Sequence, residues 1–326
     1  MKSDKNTRLG VVLMNLGTPV EPTPKAVRQF LEEFLGDRRV VEIPRLIWWP
    51  ILYGIILPFR SPKVARLYKE IWLPEGSPLK VITEKQVDAL QSRFSSGDVQ
   101  VTYAMTYGAP KLEQRISELE SSGVDKIVVL PLYPQYSATT TAAIYDQFAK
   151  LIVRQRNISN VTIHKEYYSR RDYIIALANS VRRHWEAGEQ SEKLLFSFHG
   201  IPKRCVDKGD PYELQSRKTA QLVAEELGLV ESQWAISFQS RLGKAEWLKP
   251  YTDLLLESWG REGVESVDVL CPAFASDCLE TVEEIDKENR EIFLSSGGKR
   301  FEYIPCLNDS VDHIDLLEKI VTEYRI

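Results

Sequence analysis

LLFSFHGIPKRCVDKGDPY, residues 194–212, decides how this chain folds. The opening run Leu194-Leu195-Phe196 is apolar throughout, the pattern of a strand buried on both faces. It closes on Ser197-Phe198-His199-Gly200, which places a histidine where a parallel strand hands over to its loop. In open α/β sheets that carboxyl edge is where ligands bind. Pro202 and Gly209-Asp210-Pro211 hold the loop open until a helix starts near Tyr212. A histidine in this position either caps the strand and bonds a neighbour or presents an imidazole to a ligand, and the stretch by itself fits both.

Working outward, the same grammar recurs. Arg8–Asn15 is a buried strand broken at once by Gly17-Thr18-Pro19, and a helix over Lys25–Leu35 follows. Strands are predicted at Val99–Met105, Lys126–Pro131, Val161–His164, Ala235–Gln239, Val267–Pro272 and Tyr303–Pro305. Helices are predicted at Thr83–Phe94, Lys111–Ser121, from about Ala142, and at Asp172–Ala187, Tyr212–Leu227, Glu246–Trp259, Cys278–Leu294 and Val311–Tyr324. Strand alternating with helix means parallel βαβ units, an α/β fold. The grammar restarts near Tyr167–Asp172, so the chain divides into domains 1–168 and 169–326, two similar halves facing each other, the closing helix being free to pack back on the first. No Gly-x-Gly-x-x-Gly and no Walker loop follows any strand, which excludes those devices for holding a dinucleotide or a nucleoside triphosphate.

The bulk composition narrows the class. The 326 residues are 43% hydrophobic and 27% charged, with net charge −4, an ordinary globular composition that argues against a general nucleic-acid binder. No apolar core backs the N-terminal basic residues, and no apolar run reaches membrane-spanning length, so a cytoplasmic protein is expected. Cys205, Cys271, Cys278 and Cys306 show no zinc-type spacing and read as reduced, packed thiols. Ile43–Phe59, IPRLIWWPILYGIILPF, is apolar on nearly all sides and carries Pro44, Pro50 and Pro58, which disfavour one long helix. It is either a bent core segment or an exposed apolar lip from Trp48 to Phe59, for a flat ligand or a bilayer surface.

Glu280, Glu284 and Glu288 are spaced i, i+4, i+8 and share one stripe, with Asp277 at the helix start. Like charges at that spacing cost helix stability, so the stripe is either a solvated face or one side of a site. The strand that precedes it belongs to the same half as His199, which puts both at one carboxyl edge. A neutral imidazole facing carboxylates accepts protons near neutral pH, and the same pair can hold a divalent metal in transit. Leu16, Tyr107, Tyr136, Trp247 and Phe274 are candidate walls for a flat apolar substrate.

The stretch FSFHGIPxxxxxxGDPY, with MNLGTP at 14–19, EGSPL at 75–79, YGAP at 107–110, LPLYPQYS at 130–137, FQSRLG at 238–243 and CPAFASDCLET at 271–281, closely resembles the ferrochelatases. The resemblance runs in order over nearly the whole chain. It implies two Rossmann-like domains of chelatase type with the active cleft between them, and insertion of ferrous iron into protoporphyrin IX to give protoheme. It makes His199 the group that takes pyrrole protons or meets the iron, and Glu280 its partner carboxylate. Asp277 would orient one of the two, and Glu284 and Glu288 would continue an acidic path to the surface. Leu16, Tyr107, Trp247 and Phe274 would line the macrocycle, while the Trp48–Phe59 lip would give peripheral contact with an inner membrane. Iron is then substrate, with no redox cofactor.

Several positions depart from the pattern. Thr106 stands where many relatives carry arginine, Leu16 where others carry methionine or tyrosine, and Cys278 where some carry histidine. Leucine cannot ligate metal. Only Cys306 lies where some members bind an iron–sulfur cluster, so none is expected. Two other readings use the same residues: a cobalt or nickel chelatase for another tetrapyrrole, and a porphyrin carrier without turnover.

Overall fold

The structure, a computed structural model, describes residues 8–94, 97–243 and 245–325. Among these residues, eight parallel strands form: β1 (Leu9–Asn15), β2 (Val99–Met105), β3 (Lys126–Pro131), β4 (Asn160–Ile163), β5 (Lys193–His199), β6 (Trp234–Gln239), β7 (Ser266–Leu270) and β8 (Arg300–Ile304). They make two four-stranded sheets with the same order, β2-β1-β3-β4 and β6-β5-β7-β8. This is the doubly wound α/β architecture, and in each sheet the order reverses beside the central strand, β1 or β5, where ligands settle in such folds.

The chain parts into two compact units. One runs through Tyr133 and adds Ala138–Lys165 and Ile314–Ile326; the other is Pro134–Ser137 with Glu166–His313. In the first, Val12, Met14 and Val129 from the sheet pack with Ile116, Leu119 and Ile144 from helices. In the second, Leu195, Val267 and Val269 pack with Leu256, Ile285 and Phe293. Every residue of β1 is buried, which is why its sequence shows no alternation. From Ile314 onward the closing helix counts with the first unit. Its end is held there by Lys126 Nζ donating to the Tyr324 carbonyl at 2.8 Å and by the Tyr324 hydroxyl 2.8 Å from His164 Nδ1.

The proline-rich segment differs from expectation. Helix Arg45–Ile51 continues through a π-helical turn, Leu52–Ile56, into helix Leu57–Ile71. A proline removes an N–H and crowds the carbonyl four residues back, and the shifted i→i+5 ladder of the π turn accommodates both effects. The run is held by one inward face: Trp48, Leu52 and Leu57 are buried, and Trp48 Nε1 donates to the Leu35 carbonyl at 2.7 Å. The opposite face is apolar and open, with Leu46 at 93% and Phe59 at 77% exposure beside Ile47, Trp49, Tyr53 and Ile55. It is therefore an exposed lip rather than a core segment.

One buried charge was not singled out by pattern. Asp268, in the middle of apolar β7, is 0% exposed. Its carboxylate accepts from Trp185 Nε1 at 2.7 Å, Ser191 Oγ at 2.7 Å and Ser191 N at 3.1 Å. Asp268→Ala would leave those donors buried without an acceptor. It is expected to cost about 3 kcal/mol or more, read as a lowered urea midpoint at unchanged slope, and an unchanged midpoint would refute the assignment.

Candidate active site

β5 delivers His199 at its carboxyl end, paired in register with Gln239 of β6. The Gly200 N–H donates to the Gln239 carbonyl at 2.7 Å. A Cβ at position 200 would lie 2.8 Å from that oxygen and 3.3 Å from Trp247 Cε3, so the glycine is dictated by close approach. The equivalent turn after β1, Leu16-Gly17-Thr18-Pro19, repeats the pattern with leucine in place of histidine. Gly17 there has φ of +111°, and a Cβ on it would lie 1.7 Å from the Tyr107 carbonyl oxygen.

His199 Nδ1 lies 2.7 Å from the Gly200 carbonyl oxygen. A carbonyl only accepts, so Nδ1 carries the proton and Nε2 keeps a free lone pair. Burial pushes the imidazole below its ordinary pKa; the Glu280 carboxylate pulls it part of the way back. The result is a ring that is neutral at pH 7 with its basic nitrogen uncommitted. Phe274 stands beside it, ring centroids 6.3 Å apart. Trp247 is brought alongside by the short antiparallel bridge to Pro202 and by the Leu248 N–H bonding the Ile201 carbonyl at 3.1 Å. The expected helix from Glu246 therefore begins only at Thr252, since residues 246–251 form this strap. Its Pro250 carbonyl accepts from the Phe238 N–H at 2.8 Å.

The acidic helix is real but not α-helical in its first part. Glu280–Asn289 is a ten-residue π-helix, followed by an α-helical Arg290–Ser295. Segments of this kind are rare, mostly a single turn, and concentrate at functional sites. Ile285 turns inward at 0% exposure, while Glu280 and Glu284 are half-buried and Glu288 is exposed. Gln239 Nε2 donates to the Glu280 carbonyl at 2.9 Å, tying the helix start to β6. Glu284 accepts from the Ser240 N–H at 2.7 Å and from the Ser240 hydroxyl. Burial lifts its carboxyl to about 7, helped by the charges of Glu280 and Glu288 and opposed by the Ser240 bonds. A carboxyl with that pKa both takes and releases protons at neutral pH. The buried Cys278 thiol lies against Glu280, and burial and that carboxylate both hold it protonated.

Other predicted residues fall differently. The Asp277 carboxylate accepts from the Tyr303 hydroxyl at 2.5 Å, Asn308 Nδ2 at 2.7 Å, Cys306 N at 3.2 Å and Thr281 Oγ1 at 3.3 Å. None of its hydrogen bonds reaches His199 or Glu280, so it braces the loop before the π-helix rather than orienting either group directly. Tyr107 is 2% exposed. Its ring packs on Phe34 and its hydroxyl donates to Asp37 at 3.0 Å, making it an internal strut of the first unit instead of a wall. Leu16, in the same unit, is half-buried at the end of β1. Tyr136 belongs to the second unit, its N–H donating to Gln215 Oε1 at 2.7 Å. Thr106 is buried with its hydroxyl 3.2 Å from the Asn15 carbonyl oxygen. Among the described residues, no group of three or more His, Cys, Asp or Glu side chains is arranged to hold a metal ion.

The family profile described as Ferrochelatase matches residues 8–325. The chain belongs to the ferrochelatase family. It is 52% identical over 317 residues to a ferrochelatase of Aeromonas hydrophila, covering 97% of this chain and 98% of the relative. It is 48% identical over 321 residues to a ferrochelatase of Escherichia coli O139:H28, covering 98% and 100%. The solved structure of SirB from Bacillus subtilis with Fe3+ shares the fold, with TM-score 0.57 at 10% identity over 97% of this chain and 95% of that one. A ferrochelatase-family enzyme is a metal chelatase.

Proposed function

We propose that this enzyme inserts Fe2+ into protoporphyrin IX, forming protoheme and releasing two protons in the last step of heme synthesis. The observation that carries the reading is the uncommitted, neutral Nε2 of His199, with Phe274 beside the ring and Trp247 against the adjacent Gly200. The free macrocycle holds two pyrrole N–H groups, and metal entry must displace both protons. His199 Nε2 accepts the first from a pyrrole nitrogen and Glu280 stabilises the imidazolium that forms. The protons leave along the stripe, from Glu280 to Glu284 and on to the exposed Glu288, two neighbours whose charges act on the Glu284 carboxyl. Phe274 and Trp247 offer ring surfaces to a flat substrate, and binding energy from such contacts can bend a macrocycle so that its nitrogen lone pairs tilt toward the metal. Charge and protons balance without an electron carrier, because two protons leave as one divalent ion enters.

The test is purified protein with protoporphyrin IX and Fe2+ under anaerobic conditions, with Zn2+ as a second metal, followed by the Soret band. Insertion faster than the protein-free background supports the reading. Porphyrin that binds without being metallated would mean a carrier. Turnover confined to cobalt or nickel with another tetrapyrrole would mean a different chelatase.

We further propose that the exposed face of Leu46, Ile47, Trp49, Tyr53, Ile55 and Phe59 rests on a membrane surface, where apolar porphyrin is dissolved. Among the described residues, no helix is long and apolar enough to cross a membrane. Exposed Lys63 and Arg66 follow on the same helical run, which favours an anionic leaflet. Leu46→Glu with Phe59→Glu is expected to lower co-sedimentation with phosphatidylglycerol-containing vesicles by about tenfold or more while leaving the melting temperature unchanged. Undiminished sedimentation would remove the proposal.

A further inference from the structure

The loop that delivers Glu280, residues 271–279, has no regular structure between β7 and the helix. Something must fix that loop. The structure assigns this task to Asn308, a residue outside the loop and beyond β8, as a positioning residue for Glu280. The inference rests on reading Glu280 as the partner of His199.

Asn308 grips the loop at three points. Its N–H donates to the Ala275 carbonyl at 3.1 Å. Its carboxamide closes a two-point pair with Asp277, Oδ1 accepting from the Asp277 N–H at 2.9 Å and Nδ2 donating to Asp277 Oδ2 at 2.7 Å. The backbone at Asn308 has φ of +48°, a left-handed conformation that asparagine tolerates better than most residues. That conformation aims the amide and the carboxamide at the loop together. The carbonyl of Asn308 is anchored in turn by Nδ1 of buried His313 at 2.5 Å. Burial drives His313 down to about 4, so the anchor is a neutral imidazole at working pH.

From Asp277 the constraint passes directly to the helix. The second carboxylate oxygen of Asp277 takes the Tyr303 hydroxyl and the Cys306 N–H, and lies 3.3 Å from Thr281 Oγ1. Thr281 Oγ1 accepts the Cys278 N–H at 3.0 Å. Glu280 sits between these two residues, on the first turn of the π-helix. Rotating or withdrawing the Asn308 carboxamide therefore removes two of the bonds that hold Asp277, at its N–H and at one carboxylate oxygen, and lets the first π turn move, which displaces a carboxylate whose value depends on its distance from His199.

The experiment compares Asn308→Gly, which keeps the left-handed backbone and removes the carboxamide, with Asn308→Asp, which sets two carboxylates face to face, and with the exchange Asp277→Asn/Asn308→Asp. In the exchange the carboxamide and carboxylate trade places: the carboxylate at 308 can still accept from the backbone N–H of residue 277, and the side-chain bond can reform with the carboxamide at 277 as donor. All are assayed for Zn2+ insertion at a temperature where circular dichroism shows the variant folded. Misplacement should lower kcat for both single variants by about ten- to a hundredfold with KM for the porphyrin unchanged, and the exchange should recover most of the loss. A merely structural role would lower the melting temperature and leave kcat of the folded fraction intact. If Glu280→Gln is crippled while folded Asn308→Gly keeps kcat within about twofold, the positioning role is wrong. If the exchange is folded but stays as slow as the single variants, it is wrong as well. If Glu280→Gln itself retains full activity, it is the assignment of Glu280 that has failed.

Discussion

His199→Ala is expected to lower metal insertion by about a thousandfold, toward the uncatalysed rate, while porphyrin still binds and the protein remains folded. The size follows from general-base catalysis, worth about 10²–10⁴ in rate, and from the absence of a replacement. Glu280 is the charge that acts on His199, but a carboxylate is a weaker base than imidazole at neutral pH. The fold should survive because the ring makes a single hydrogen bond, to the adjacent Gly200 carbonyl. In the unaltered enzyme, burial keeps the imidazole below its ordinary pKa, so the base stays unprotonated as pH falls to about 6.5. Activity should accordingly decline only below that point. Zn2+ insertion measured by the Soret shift from pH 5 to 9 checks both statements; a His199→Ala enzyme within about tenfold of the original would mean another group takes the proton.

Glu280→Gln should be the next most damaging change, about a hundredfold in kcat, with the same shape and a different charge. Two effects combine. The imidazolium that forms on His199 loses its counter-charge, and the proton loses its first acceptor on the way out. The sign of the pH effect is fixed. Glu280 raises the His199 pKa against the larger lowering by burial, so removing its charge lets that pKa fall further. The acid limb of the rate should move to lower pH even as the plateau drops. A limb that moves upward, or a plateau that is unchanged, would mean the carboxylate does not act on His199.

Much of this was readable in the chain. β1 and β5 carry apolar runs, Val11–Met14 and Leu194–Phe196, because both faces are covered there, and such runs need only a breaker, Gly17 or Gly200, to be recognised as parallel strands. His199 follows from where the run stops. The glutamates at 280, 284 and 288 were legible as a stripe, but the helix type was not. A four-residue step lies between the roughly 3.6-residue α turn and the wider π turn, so it lines up carboxylates on either. The strap at residues 246–251 reads as helix from its sequence because its cause is a bridge to Pro202, which no local pattern carries. The partners of Asp277 were hidden for the same reason: Tyr303 and Asn308 stand 26 and 31 positions away. Asp268 hid inside an apolar strand, since its compensation comes from Trp185 and Ser191 on a separate segment.

The ten-residue π-helix carries one more consequence. A wide turn differs from an ordinary one by a single added residue, so its ladder can revert wherever one is deleted. Loss of any one residue between Thr281 and Glu283 would swing everything downstream by roughly 100° relative to Glu280. Glu284 and Glu288 would then leave the file without any change of composition. Length, held to the single amino acid, is thus as much a part of the proposed proton route as the carboxylates themselves.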